Sequence, residues 1–327
     1  MAPRSIPRSL TVALGLFLAA PSARAQTPVA ALAARLAAMT AVTGYERAMG
    51  DTLFTLLPGA ERDRAGDVVL ARGSGTPRRL AVCPMDEIGF VVGEVRPDGY
   101  LTLRRSPAPG SAVPLLFDQQ LEGQRVTLLG DRGPVPGVVA VRSTHLTRGR
   151  ADLNGAPFKL DDAYVDVGAA TDADVAPLGV HLLTPLALTK RPHRYGADRI
   201  AALAAGRRAA CAALLAAAVD AKPSRKAPRG TTVVAFVVEQ NLSVRGMLTI
   251  ATSRGPFAET WIADGAGGYS ALDARFVPAG PVAALGTVNR WDLPVRYPGT
   301  PVESVSLADV ERMRATISAW LRGESAQ

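Results

Sequence analysis

Hydrophobic and polar residues recur along the chain with two different periods. A helical period over residues 307–321 predicts an amphipathic helix that begins after the N-cap Ser306. Its buried face is predicted to comprise Val310, Met313, Ile317 and Trp320. Residues 231–238 are almost all apolar or β-branched, which is typical of a strand buried on both faces. Helices and buried strands of this kind together indicate an α/β body.

The middle of the chain has a different pattern. Between residues 93 and 188, short β-type runs are separated by turns rich in glycine and proline, which is typical of a small barrel or sandwich. The pattern predicts a discontinuous α/β body, residues 26–92 and 189–327, interrupted by an all-β insert, residues 93–188. Other helices are predicted over 28–41, 46–57, 200–219 and 243–251, and other strands over 67–72, 79–83, 88–95, 100–103, 124–129, 135–141 and 260–263.

The first 25 residues have the features of a secretory signal peptide. Arg4 and Arg8 precede the short apolar stretch 10–20, and Ala23-Arg24-Ala25 is a small-x-small cleavage pattern. The apolar stretch is too short to span a bilayer comfortably, so cleavage is favoured over a retained anchor. We therefore expect an exported protein, periplasmic or secreted, with no membrane span after cleavage.

Composition excludes several classes of protein. The 327 residues are 48% hydrophobic, 20% charged and 5% aromatic, which excludes a disordered chain and argues against a base-stacking nucleic-acid binder. Removal of residues 1–25 takes three arginines and no acid from the formal charge of +8, which leaves +5 and no dense basic stripe. We therefore expect no nucleic-acid partner.

Cysteine and histidine are scarce, which limits the kinds of metal site. With only 2 cysteines, a cysteine-built zinc site is excluded, and Cys83 and Cys211 are either a disulfide of an oxidising compartment or two buried thiols. A histidine-built site could use only His145, His181 and His193. The chain also contains no GxSxG, HExxH or Walker A motif.

One run carries a family resemblance. Residues 83–90, Cys-Pro-Met-Asp-Glu-Ile-Gly-Phe, resemble the His-Met-Asp-Glu-Ile-Gly-Phe run of the M42 family of metallo-aminopeptidases. Further landmarks follow in the family's order at 42–46, 63–67, 136–137, 145, 164–169, 244–246 and 296–303. The resemblance covers the chain from about residue 30 to its C-terminus. It implies a zinc-exopeptidase-like three-layer α/β body with an inserted small β-barrel domain, and self-assembly through that insert.

Active members of this family are aminopeptidases that use two zinc or cobalt ions. Two His and three carboxylates hold the metals, and a separate Glu acts as the general base toward the metal-bound water. In this chain the aligned ligand positions hold Pro84, Gly206, Asn241 and Gly299, and the general-base position holds Gln240. Asp198-Arg199 is a rival match for the motif assigned to Gly206.

Two acids of the family's site are retained. Asp264 is the one ligand position that still carries a carboxylate, and Asp86 corresponds to the residue that orients a ligand His in the family. With Pro84 in place of that His, Asp86 is expected to have nothing to orient. Proline has no donor for a metal, and glutamine cannot accept a proton near neutral pH. We therefore expect no cofactor in this chain.

Three interpretations remain open. The leading one is a catalytically inactive M42 homologue, a pseudoenzyme with a binding or assembly role whose partner is a peptide or an active relative, and which forms a homo-oligomer. The alternative is an active metal-dependent aminopeptidase that cleaves N-terminal residues with a site rebuilt from Asp86, Asp198, Asp264, and Glu239 or Glu303. The third is a structural partner subunit that binds no ligand.

Overall fold

A mixed α/β body and a closed β-barrel make up the part of the chain that the computed structural model describes, namely residues 28–106, 117–140, 158, 160–221, 230–242, 244–266 and 279–324. The helices are α1 (Val29–Ala37), α2 (Arg47–Leu56), α3 (Asp172–Val175), α4 (Ala205–Asp220), α5 (Arg245–Arg254), α6 (Ala279–Ala283) and α7 (Leu307–Arg322). The predicted signal peptide and His145 lie outside the described residues. Within those residues, no helix combines the length and the apolar character needed to cross a bilayer.

The strands belong to two sheets and a barrel. Those of the body are β1 (Glu61–Arg62), β2 (Val68–Ser74), β3 (Arg78–Pro84), β10 (His193–Tyr195), β11 (Arg199–Ala201), β12 (Gly230–Val237), β13 (Glu259–Gly265), β14 (Thr287–Leu293) and β15 (Ser304–Ser306). Those of the barrel are β4 (Gly89–Val95), β5 (Leu101–Ser106), β6 (Arg125–Gly130), β7 (Gly133–Ala140), β8 (Tyr164–Asp166) and β9 (Pro185–Leu188).

The central sheet has six strands in the order β1-β2-β12-β3-β13-β14. Strands β12, β3, β13 and β14 run parallel, while β1 and β2 complete one edge in antiparallel fashion. Val237 pairs with Pro84, and Ile262 pairs with Val82. The carboxyl ends of β12, β3 and β13 therefore lie side by side, and in open α/β sheets functional sites form at this edge.

Helices cover both faces of this sheet. On one face α1, α2, α4 and α7 enclose the larger core with apolar residues of the strands. On the other face α5 packs over a second core that includes Val69, Leu80 and Phe257. The three layers follow from strands that are apolar on both sides, since each face must be covered.

The insert is a closed barrel with the strand order β4-β5-β8-β7-β6-β9 and its own apolar core. Its neighbouring strands are antiparallel. The first of them begins at Gly89, before the predicted boundary at residue 93. The expected α/β fold with an inserted barrel is confirmed.

Local signals located the terminal helix well. Ser306 caps α7 by accepting a hydrogen bond from the Asp309 backbone N–H, and all four residues predicted for its inner face are buried. The helix predicted from residue 200 is wrong at its start. Ile200 pairs instead with Val305 in the small antiparallel sheet β10-β11-β15, and α4 begins at Ala205.

A disulfide joins the central sheet to the helical layer. Cys83, next to the last residue of β3, is bonded to Cys211 in α4, and both are buried. The sequence left a disulfide and two buried thiols open for this cysteine pair, and the structure has the disulfide.

Candidate functional site

Three of the predicted site positions converge at the carboxyl edge of the central sheet. Asp86 follows β3, Asn241 follows β12, and Asp264 lies near the end of β13. The side chain that enters the space between them comes from the first turn of α4 and belongs to Arg207.

Arg207 makes a dense set of polar contacts. Its Nε donates to Asp264 Oδ1 at 3.1 Å and its Nη2 donates to Asp264 Oδ2 at 3.0 Å. Its Nη1 donates to the backbone carbonyl of Asp86 at 2.9 Å and lies 3.3 Å from Asp86 Oδ1 and 3.5 Å from Asn241 Oδ1. The paired contacts with Asp264 form the bidentate fork that a guanidinium and a carboxylate favour. Both carboxylate oxygens of Asp264, the one predicted ligand position that carries an acid, are therefore bound to a cation of the chain itself.

This ionic group is removed from solvent. Arg207 is 8% exposed, Asp264 2% and Asp86 0%. Burial alone would lower the pKa of Arg207, but the nearby carboxylates of Asp264 and Asp86 raise it overall. Burial raises the pKa of Asp86 against the opposing effect of Arg207. The guanidinium thus stays charged and compensates a buried acidic site.

Asp86 has a different task from the one expected for it. Its Oδ2 accepts hydrogen bonds from the Thr43 hydroxyl at 2.9 Å and from the Asn241 backbone N–H at 2.8 Å. The expectation that Asp86 has nothing to orient does not hold, because it positions Arg207 and the segment after β12 together. The Asn241 side chain also donates to the Thr43 hydroxyl, at 3.2 Å.

Gly206 and Gly299 are brought together by one acid, Glu303. The Gly206 N–H donates to Glu303 Oε1 at 2.7 Å and the Gly299 N–H donates to Glu303 Oε2 at 2.8 Å. Burial raises the pKa of Glu303. A Cβ atom at Gly206 would lie 2.9 Å from the Gly265 Cα and 2.8 Å from Val295 Cγ2, so α4 has no room for a side chain at this position.

Gln240 lies beside the site, and its side chain is buried. The residue is 3% exposed, and its buried Oε1 has no hydrogen-bond partner among the residues that the structure describes. The segment that carries it is held by two acids. Glu46 accepts from the Glu239 N–H at 2.9 Å, and Asp67 accepts from the Val238 N–H at 2.9 Å.

A second buried ionic cluster adjoins the first. Glu87, directly after Asp86, contacts both Lys190 and Arg208, the latter at 2.9 Å. Its other oxygen accepts from the Ala41 N–H at 3.2 Å. Burial would raise the pKa of Glu87, but the two cations outweigh that effect and lower it. This cluster ties the segment between α1 and α2, the end of β3, the start of α4 and the segment after β9 to the base of the site.

Strained backbone concentrates around these segments. Among the described residues, five non-glycine residues have left-handed φ angles: Leu183, Ala204, Glu239, Val244 and Tyr297. Ala204 precedes α4, Glu239 and Val244 flank the Gln240-Asn241 pair, and Tyr297 belongs to the loop of Gly299. The carbonyl of Leu183 accepts a hydrogen bond from Tyr45, two residues from Thr43. Such conformations persist where the surroundings hold them, and they are frequent at functional sites.

The residues present do not fit a pair of divalent ions. In the ranges that the structure describes, no three His, Cys, Asp or Glu side chains form a group that could hold a metal. His181 interacts with Asp131, and His193 stacks on Tyr195 in β10, so neither approaches the site through these contacts.

The alternative set of acids is only partly assembled. Asp86, Asp264 and Glu303 surround the start of α4, but Asp198 accepts from the Ser306 hydroxyl at the start of α7. Glu239 forms an ion pair with the exposed Arg245. The structure therefore does not bring all of these acids together in one site.

Arg207 is the site residue that sequence reasoning missed. The signal available was its position next to Gly206, but an arginine is not a metal-ligand type. The structure shows that the side chain reaching Asp264 from α4 is that of residue 207, while Gly206 contributes only its backbone N–H.

Comparison with known proteins gives a family and a fold. The family model for M42 glutamyl aminopeptidase matches residues 66–258. SgcX of Escherichia coli (strain K12), named as an aminopeptidase, is 30% identical over 217 residues, which is 64% of this chain and 55% of SgcX. The chain thus spans about half the length of this curated relative.

Solved structures match over more of the chain. The aminopeptidase APDkam598 of Desulfurococcus kamchatkensis superposes with a TM-score of 0.75 and 17% identity, covering 91% of this chain and 95% of that one. The TET1 peptidase of Pyrococcus horikoshii, which can assemble into a tetrahedron or a large octahedral shell, gives a TM-score of 0.75 and 17% identity, covering 90% and 99%. At these identities the likeness supports the fold alone.

Proposed function

The chain belongs to the M42 glutamyl aminopeptidase family, and we propose that it is an exported member that no longer hydrolyses peptides and acts by binding or assembly. The observation that carries this proposal is the contact between Arg207 and Asp264. The retained ligand carboxylate has both oxygens engaged by the guanidinium, at 3.1 and 3.0 Å. A metal ion at this carboxylate would have to displace a buried ion pair.

The remaining steps of the chemistry lack their groups as well. Hydrolysis by this family's mechanism needs a base to take a proton from the metal-bound water. The base position holds Gln240, and the neighbouring ligand position holds Asn241, whose side chain is bonded to Thr43. A neutral amide can donate or accept hydrogen bonds, but it cannot remove that proton.

Two features support export. Residues 1–25 have the pattern of a signal peptide. The Cys83–Cys211 disulfide is of the kind that persists in oxidising compartments such as the periplasm or the extracellular space.

Exposed apolar residues beside the site support a binding role. Leu183 is 53% exposed and Tyr297 is 60% exposed, and both hold left-handed φ angles, of 67° and 54°. Exposed apolar side chains beside the site offer apolar surface to a ligand or partner. A peptide, an active relative or further copies of the chain would each use such a surface.

Metal analysis combined with a hydrolysis assay tests the proposal. The chain from Gln26 onward would be purified without added metal, and zinc and cobalt would be measured per chain. Release of N-terminal residues from a broad panel of short peptides would then be followed with each metal supplied, beside an active aminopeptidase of the family as a positive control. We expect no stoichiometric metal and no turnover. About two metals per chain, or turnover that a chelator abolishes, would overturn the proposal and favour the rebuilt-site alternative.

A further inference from the structure

We infer that Arg207 is a resident cation that takes the structural place of a metal ion, so that the site is assembled around a positive side chain of α4. In this arrangement the guanidinium binds the surrounding acids directly. The inference rests on the proposed loss of metal-dependent hydrolysis and names the group that replaces the metal's structural contribution.

The contacts of Arg207 resemble those of a polydentate cation. From α4 its guanidinium reaches Asp86 after β3, Asn241 after β12, and Asp264 in β13. Three segments at the edge of the central sheet and one helix are therefore joined at a single positive group. A guanidinium suits this role because it is planar, weakly hydrated and always charged.

The charge of the site requires a cation. Asp86 and Asp264 are almost completely buried, at 0% and 2% exposure. Buried carboxylates without a cation are strongly unfavourable, and removal of one partner of such a pair leaves an uncompensated charge. Lys190 and Arg208 form their ion pairs with Glu87. The positive charge within hydrogen-bond distance of Asp264 comes from Arg207.

Close packing of α4 on the sheet lets the side chain reach the acids. A Cβ atom at Gly206 would lie 2.9 Å from the Gly265 Cα, and a Cβ atom at Gly265 would lie equally close to the Gly206 Cα. The two glycines thus allow the first turn of α4 to rest on the end of β13. The next residue, Arg207, is thereby placed against Asp264.

A covalent bond reinforces the same junction. Cys211 lies one helical turn after Arg207 on α4 and is bonded to Cys83 near the end of β3. The disulfide and the guanidinium both connect α4 to the β3 end of the site, so this junction is secured by groups of the chain itself.

Charge variants at position 207 test the inference. Arg207→Asp removes the resident cation and adds a third carboxylate beside Asp86 and Asp264. Arg207→Lys keeps the charge but loses the fork. Arg64→Asp is the matched control, because Arg64 is exposed and its substitution makes the same change of net charge. Thermal unfolding would be measured by calorimetry in chelator and with zinc or cobalt in excess, and metal binding by titration calorimetry.

We expect the wild-type chain and Arg64→Asp to unfold at the same temperature with and without metal. In chelator, Arg207→Asp should unfold about 10 °C below the wild type. Zinc or cobalt should recover about half of that loss, with binding detectable in the titration. Arg207→Lys should lie between the two in chelator and should not respond to metal.

Two results would overturn the inference: wild-type thermal stability of Arg207→Asp in chelator, or no response of this variant to zinc and cobalt. If Arg207→Asp yields no folded protein under either condition, Arg207→Lys decides, and wild-type stability of that variant counts against the inference. Failure of the proposed function is seen separately, because it requires metal or turnover in the wild-type chain.

Discussion

A buried pair of acids beside the site should make the stability of the protein fall as pH rises. Asp67 is 0% exposed, and its Oδ1 accepts from the Val238 N–H. Burial raises the pKa of Asp67 to about 8, and the carboxyl groups of Asp63 and Glu46 add to the rise against the Val238 hydrogen bond. Burial and the charge of Asp86 raise the pKa of Glu46 to about 7. Both side chains are therefore protonated in the folded state at pH values where they are ionised in the unfolded chain.

The sign and size of the effect follow from proton linkage. Between the unfolded and folded pKa values the native state binds more protons, so the free energy of unfolding falls with rising pH. Each such group contributes a slope of about 1.4 kcal/mol per pH unit. For Asp67 the window runs from its ordinary value of 3.8 to about 8. Between about pH 5 and about pH 8 the titration of this residue alone should lower the free energy of unfolding by about 4 kcal/mol.

Asp67→Asn removes the titrating group and keeps the hydrogen bond, because an amide oxygen can still accept from the Val238 N–H. Urea unfolding followed by circular dichroism, at pH values from about 5 to about 8, gives the slope. We expect the slope of the variant to be shallower by about 1.4 kcal/mol per pH unit, with little change in stability at about pH 5. Asp161→Asn, at an exposed carboxyl, should leave the slope unchanged.

Glu46→Gln in the Asp67→Asn background should remove a further slope that ends at about pH 7. If Asp67→Asn keeps the full wild-type slope, the reasoning is refuted, because Asp67 is then not protonated in the folded protein.

Three further changes have expected outcomes. Reduction of the Cys83–Cys211 disulfide, which closes a sequence separation of 128, should lower the free energy of unfolding by about 4 kcal/mol in urea, and Cys83→Ser/Cys211→Ser should be insensitive to reductant. Glu87→Gln leaves Lys190 and Arg208 buried without their anion and should cost about 3 kcal/mol or more by the same measurement, whereas a cost below about 1 kcal/mol would show that the cations find other partners. Gly206→Ala should cost about 1–3 kcal/mol because its Cβ would overlap the Gly265 backbone, while Gly280→Ala, which meets no atom within 4 Å, serves as the neutral control.

Sequence patterns predicted the elements whose signals are local. The α7 helix carries its own N-cap at Ser306 and its own helical period, so both its start and its buried face could be read from the sequence. The small sheet β10-β11-β15 could not be read in this way. Its strands have three residues each, and Ile200 pairs with Val305, which lies far from it in sequence. Nothing near Ile200 distinguishes such a short strand from the helix that follows.

The candidate site could be predicted as a set of positions but not as an arrangement. The order of landmarks located Pro84, Gln240 and Asn241 because flanking residues fix each of them. Arg207 was missed because its role depends on Asp86 and Asp264, which are distant in sequence and meet only when the strand ends align. A search of the sequence for residues that bind metals does not select arginine. The role of Arg207 becomes visible only when the acids that surround it in the fold are known.

The two retained acids of the predicted family site, Asp264 and Asp86, are both in contact with Arg207. A pair of divalent ions needs several carboxylates around it, and the same carboxylates without metal would repel one another in a buried site. One guanidinium carries a single positive charge and can compensate far fewer acids. The Nε and Nη2 atoms of Arg207 bind Asp264, and its Nη1 binds Asp86. The predicted base and ligand positions after β12 carry the neutral residues Gln240 and Asn241. A fixed cation and neutral residues after β12 are thus electrostatically matched, because removal of the cation or addition of acids would leave buried charge uncompensated.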